Sequence, residues 1–199
     1  FGHVLHGVLS RTAYNSHAGT STPRDFVEAP SQMFEEWVRR EQPLSLFAKV
    51  CPECPRLTKE EIARLEAARR YGQGLRYARQ WLYAAYDMAL STDPQPSMAL
   101  WKKMESATPL GHVEGTMFPA SFSHIAAHYA SGYYGYMWSE VLALDMLSKF
   151  RKDMLDPKVG HFYRDTILAQ GGQVEPAAMV RKFLGREPSS KAFFAEITG

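Results

Sequence analysis

The chain has 199 residues, 45% of them hydrophobic and 22% charged, with a formal net charge of +2. That length suits one domain or a large part of one, with enough residues to bury a sizeable core. The balanced charge and the lack of any long Lys/Arg run argue against a nucleic-acid partner, and no apolar stretch reaches the length of a bilayer crossing.

The chain opens with FGHVLHGVLS, where Phe1, Val4, Leu5, Val8 and Leu9 recur at helical spacing. The pattern predicts a helix with one apolar stripe and with His3, His6, Gly7 and Ser10 beside it. These residues carry no basic region and no cleavage site, so no secretory signal is expected and a cytoplasmic protein is. After a loop, YNSHAGTSTP, the segment RDFVEAPSQMFEEWVRR starts a second helix. Phe26, Met33 and Trp37 are expected on one face, with Glu28, Ser31, Gln32 and Glu35 on another. Pro30 has no N–H, so it belongs near the first turn or bends the helix.

CPECP places Cys51 and Cys54 three positions apart. A structural zinc site needs two further close ligands, and a redox C-x-x-C normally sits in a βαβ context; neither is visible. A Pro-rich turn with two reduced thiols is therefore expected.

The segment from Leu57 to Ser91 reads as two helices or one interrupted helix. Thr58 and Glu61 have the spacing of a capping box, and Gly72 and Gly74 weaken the middle. A shorter helix follows DPQPS, and then an irregular stretch contains Pro109, Gly111, Gly115 and Pro119. YYGYMWSEVLALDMLSKF resumes as a strongly apolar helix. Two or three short helices close the chain, broken at Gly171–Gly172 and at GREPSS. With no strand alternation and no repeat, the predicted fold class is all-α.

Three stretches carry candidate chemistry. His3 on the first helix and Glu28 on the second, 25 residues on, are a nitrogen and a carboxylate of the kind that hold zinc. FGH also matches the last three residues of H-E-F-G-H, an H-E-x-x-H motif. In that motif two histidines on one helix face bind zinc and the glutamate acts as general base. HYASGYYGYMW sets several phenols on a short arc, with His124 and His128 adding polar groups. Gly132 and Gly135 beside the tyrosines imply mobility or a close backbone approach. Tyrosines packed under a loop as core residues are the alternative for this stretch. His6, His17, His112 and His161 are read as structural or solvated.

RDFVEAPSQMFEEWV resembles the segment that carries the glutamate zinc ligand in the thimet oligopeptidase family of zinc metallopeptidases, which includes neurolysin and oligopeptidase A. PASFSHIAAHYASGYYGYMWSEV resembles the family's later F-x-H, Tyr and Y-Y-x-Y-x-W segment, and GHFYRDTIL and FLGREPSSKAFF extend the likeness along the chain. The resemblance implies the C-terminal part of a multi-helical catalytic domain, spanning residues 1–199. It implies zinc ligation by His3 and Glu28. It also implies that Tyr136 and His124 donate hydrogen bonds to the oxyanion formed when water attacks a peptide carbonyl, and that Tyr129 and Tyr133 contact the peptide. His128 departs from the family, where glycine is common. Arg24 and Asp25 match as well; they would orient the ligand or hold substrate, or simply begin a helix.

The expected substrates are short peptides. Because the first zinc histidine and the general base are missing from the 199 residues, the chain alone is expected to be inactive and to hold zinc weakly or not at all. Its partners would be the remaining N-terminal part of the same protein or a second copy. The competing expectation is a non-catalytic helical peptide-binding module with a peptidase-like fold.

Overall fold

The computed structural model describes residues 1–92 and 95–198. Asp93 and Pro94, in the DPQPS connection, and the terminal Gly199 lie outside the described residues. Among those described, the chain forms fourteen α-helices, three 3₁₀ turns and no strand. The helices are α1 (Gly2–Val8), α2 (Arg24–Val27), α3 (Ala29–Glu35), α4 (Glu41–Leu44), α5 (Phe47–Val50), α6 (Lys59–Arg70) and α7 (Gln73–Thr92). They continue with α8 (Ser97–Ser106), α9 (Phe118–Ser121), α10 (Ser123–Ala126), α11 (Gly135–Leu147), α12 (Pro157–Thr166), α13 (Pro176–Leu184) and α14 (Lys191–Thr198). The fold is all-α.

Local chemistry accounts for most of the boundaries. Thr58 Oγ1 accepts the N–H of Glu61, and the Glu61 carboxylate accepts the N–H of Thr58 at 2.8 Å, so the capping box starts α6. Gly72, at φ +69°, separates α6 from α7. Pro30 stands in the first turn of α3, where a missing N–H costs nothing. That proline divides the expected second helix in two and leaves Glu28 at the junction of α2 and α3.

Two cores form. The larger gathers Phe26, Met33, Met146, Ile167, Val180 and Phe183 between α3, α11, α12 and α13. The smaller is mainly aromatic, with Leu82, Tyr86, Trp101, Phe122 and Tyr133 between α7, α8 and the α9–α10 segment. Helix α11 packs against α2, α3, α13 and α14, as its largely apolar sequence requires.

Two expectations are corrected. In α1 the inward face is Gly2 and His6, flanked by Leu5 and Leu9, whereas Phe1 and Val8 are 86% and 71% exposed and Val4 is also exposed. The reason is proximity. A Cβ on Gly2 would lie 2.5 Å from Ser31 Cα, so α1 approaches α3 through a residue without a side chain.

The second correction is at Cys51 and Cys54, which form a disulfide rather than two reduced thiols. The turn after α5 directs the Cys54 N–H to the Cys51 carbonyl and brings the two Cα atoms to 5.3 Å, within bonding range. A loop this short constrains the unfolded chain little. Replacing both cysteines with serine is expected to change unfolding stability by less than about 2 kcal/mol, measured by urea denaturation, and to leave any peptide binding unchanged.

Candidate functional site

Glu28 is the hub. Its placement between two helices turns its side chain toward α1, where His3 Nε2 lies 3.0 Å from Glu28 Oε2. Ser31 steadies the carboxylate from below: its hydroxyl donates to the Glu28 carbonyl at 2.9 Å and to Oε2 at 3.2 Å. The Tyr129 hydroxyl donates to the other oxygen, Oε1. His3 and Glu28, 25 residues apart in sequence, therefore converge, and Tyr129 joins them.

Above this pair stands a wall of rings. Tyr129 and Tyr136 are stacked with centroids 4.9 Å apart. The His124 ring stands edge-on to both at 5.9 Å, and to Tyr133 at 5.5 Å. The Arg24 guanidinium lies 5.1 Å from the Tyr129 ring centroid on the side of α2, a cation–π contact. Asp25 stands in the first turn of α2, and its carboxylate accepts the Tyr134 hydroxyl at 3.3 Å. Tyr133 differs from its neighbours. It is buried, and its hydroxyl donates to Gln80 Oε1 at 3.2 Å.

Close packing puts the wall over the carboxylate. Gly135 begins α11 against α2, and a Cβ there would lie 2.7 Å from the Arg24 carbonyl oxygen. Of the two outcomes expected for these glycines, Gly135 shows the close approach. Gln32 adds a second link, its Nε2 donating to the Tyr136 carbonyl at 3.0 Å.

The phenols stay protonated over the neutral range. Burial raises the Tyr129 phenol, and its hydrogen bond to Glu28 raises it further. Tyr133 is pushed up to about 12, by burial first and then by Tyr136 and Tyr83. Burial also raises Tyr136. Each is a hydrogen-bond donor rather than an anion at pH 7.

Two ligands of a tetrahedral zinc, each about 2.0–2.2 Å from the metal, sit roughly 3.3 Å apart. The 3.0 Å between His3 Nε2 and Glu28 Oε2 suits such a pair. Among the described residues no third His, Cys, Asp or Glu completes a cluster. The other histidines fall elsewhere: His112 pairs with the buried Glu105 at 2.7 Å, and His6 is wholly buried in α1. Ser31, Gln32 and Asp87 were not foreseen as site residues. Asp87 carries one signal in hindsight, as an acidic residue inside the apolar run LYAAYDMAL.

The site is thus a histidine–carboxylate pair set against a wall of protonated phenols on a helical scaffold. The chain belongs to Peptidase family M3, whose profile matches residues 1–198. It is 34% identical over 203 residues to Oligopeptidase A of Escherichia coli (strain K12), covering 96% of this chain and 30% of the relative. It is 35% identical over 205 residues to Saccharolysin of Saccharomyces cerevisiae, covering 98% and 29%. It is also 35% identical over 205 residues to the Probable cytosolic oligopeptidase A of Arabidopsis thaliana, covering 95% and 29%. The chain thus spans about 30% of the length of these relatives. Among the described residues no helix is long and apolar enough to cross a membrane.

Proposed function

We propose that the chain supplies part of the catalytic region of a zinc metallo-oligopeptidase that cleaves short peptides. The observation that carries this reading is the convergence of His3 and Glu28 at 3.0 Å directly beneath Tyr129 and Tyr136. His3 and Glu28 would hold zinc. When bound, that ion would polarise the scissile carbonyl and acidify a water.

The chain's own residues would do the rest. Tyr136 and His124 donate hydrogen bonds to the developing oxyanion, a role that needs protonated donors fixed in place before reaction. Tyr129, held on Glu28, and Tyr133 behind it line the peptide's path. Ser31 fixes the Glu28 rotamer. The cytosolic label of the Arabidopsis relative supports a cytoplasmic location. The exposed apolar strip Phe1, Val4 and Val8 on α1 supports association with another part of the same protein or with a second copy.

The 199 residues contain no H-E-x-x-H. The chain by itself therefore supplies two zinc ligands and no general base, and no zinc-dependent cleavage of a fluorogenic short peptide is expected from it. The product of the whole reading frame is expected to cleave that peptide, to lose activity on chelation and to regain it with zinc. A reading frame without His-Glu before Phe1, or a product inert with zinc, would favour the peptide-binding module instead. In the active product, Tyr136→Phe is expected to lower kcat about a hundredfold with KM little changed. Equal losses through KM alone would remove Tyr136 from the oxyanion role.

A further inference from the structure

Asp87 lies on α7, outside the group formed by His3, Glu28 and the stacked tyrosines, and is 2% exposed. A buried carboxylate is costly unless its oxygens are hydrogen-bonded. Both Asp87 oxygens are bonded, and to one target. Oδ1 accepts the backbone N–H of Ser131 at 2.9 Å, and Oδ2 accepts that of Tyr133 at 3.0 Å.

Ser131 is the only non-glycine residue with positive φ among the described residues, at +56°. A serine in the left-handed region is disfavoured unless its surroundings hold it there. Amides on either side of such a turn form a concave cradle for an anion. Here the anion is the Asp87 side chain. The turn it grips is tied back to the site, since the Gly132 N–H donates to the Tyr129 carbonyl at 2.8 Å and the Gly135 N–H to the Gly132 carbonyl at 3.0 Å. Tyr133, gripped through its own amide, packs on His124 and on Tyr136, with centroids 5.5 and 5.0 Å away.

We propose that Asp87 is a positioning residue: its carboxylate clamps the Ser131–Tyr133 turn, and through that turn it sets Tyr129, Tyr136 and His124 over Glu28. The catalytic meaning of this clamp rests on the peptidase reading above. The clamp itself does not. Asparagine offers one acceptor and turns an NH₂ toward the other amide, so Asp87→Asn breaks one bond and weakens the second. Asp87→Ala removes both.

The test has two parts. Amide hydrogen exchange on the protein and its variants reads the clamp directly. Exchange at Ser131 and Tyr133 is expected to quicken about tenfold or more in Asp87→Asn, and further in Asp87→Ala, while the buried amides of α13 hold their rates. Asp145→Asn is the control. Asp145 is another buried aspartate, bonded to Arg186 and to the Ser189 N–H in a separate cluster, and its variant is expected to spare Ser131 and Tyr133. Unchanged exchange at those two amides, or equal quickening throughout the chain, overturns the clamp.

In the whole reading-frame product, Asp87→Asn is expected to cut kcat about ten- to a hundredfold, with KM within about twofold and the pH profile unmoved. Wild-type kcat in a variant whose turn has loosened overturns the positioning role. If the wild-type product cleaves no peptide, the peptidase reading fails, and the exchange rates still decide whether Asp87 holds the turn.

Discussion

Gly135→Ala is expected to destabilise the protein by about 3 kcal/mol, at the upper end of what overpacking costs. The added Cβ would lie 2.7 Å from the Arg24 carbonyl oxygen and 3.1 Å from both Arg24 C and Asp25 Cα. All three are backbone atoms, so no side chain can swing aside. Relief requires α11 to move off α2, which also strains the hydrogen bond from Ser139 Oγ to the Asp25 carbonyl at 2.9 Å. Because Tyr136 follows immediately, the same movement lifts the tyrosine wall from Glu28. For a chain of this size the expected fall in melting temperature is about 6–12 °C. Gly160→Ala in α12 is the internal comparison. Its Cβ would meet nothing within 4 Å, and alanine in a helix interior is expected to gain about 0.5–1 kcal/mol. If Gly135→Ala melts like wild type, the close approach of α11 to α2 is wrong.

Acid is expected to weaken the fold through His6, starting well above the carboxylate range. His6 is wholly buried, and neither ring nitrogen has a hydrogen-bond partner. Burial first, and the nearby charge of His3 second, lower its pKa from 6.5 to about 4. The unfolded chain takes up this proton at 6.5 and the folded chain only near 4. The stabilisation is therefore complete above pH 6.5 and drains away as pH falls toward 4. A gap of that size corresponds to about 3 kcal/mol.

Glu66 acts lower down. Its hydrogen bond to Arg69 lowers it to about 2, so its contribution starts to be lost only below 4.5. In the interval from 6.5 to 4.5 His6 weakens the fold as pH falls, while Glu140, whose carboxyl burial pushes up, acts in the opposite sense, so the His6→Leu comparison isolates the histidine. Urea midpoints across that interval should slope steeply in wild type and flatten in His6→Leu, which replaces the ring with an apolar side chain that takes no proton. A variant with the wild-type slope would show that another group governs the acid limb.

Much of the helical plan could be read directly. The capping box at Thr58 and Glu61, the break at Gly72 and the apolar run of α11 are signals that act within a few residues, and local sequence is enough to set them. That His3 and Glu28 belong to one candidate site was suggested by the family resemblance of RDFVEAPSQMFEEWV, and the structure sets the two side chains 3.0 Å apart. The face of α1 was not legible. Periodicity put Phe1, Val4 and Val8 on one stripe with Leu5 and Leu9, yet only Leu5 and Leu9 of that stripe pack on the core. Here backbone contact through Gly2 decided the orientation instead. Cys51 and Cys54 illustrate the same limit, since whether two thiols bond depends on the separation a turn imposes.

By itself, then, the sequence determined the all-α class, the start of α6 and the break before α7, the membership of Peptidase family M3 and the residue types at the candidate site. The tertiary structure alone decided which face of α1 is buried, that Tyr129 rather than Tyr133 reaches the Glu28 carboxylate, and that Asp87 on α7 grips the turn between them. The physical reason is range. Caps, glycine breaks and apolar periods act over a few positions, whereas the Asp87 bonds join groups 44 and 46 residues apart and the Tyr129–Glu28 bond joins groups 101 apart. Those distances close only when the helices pack.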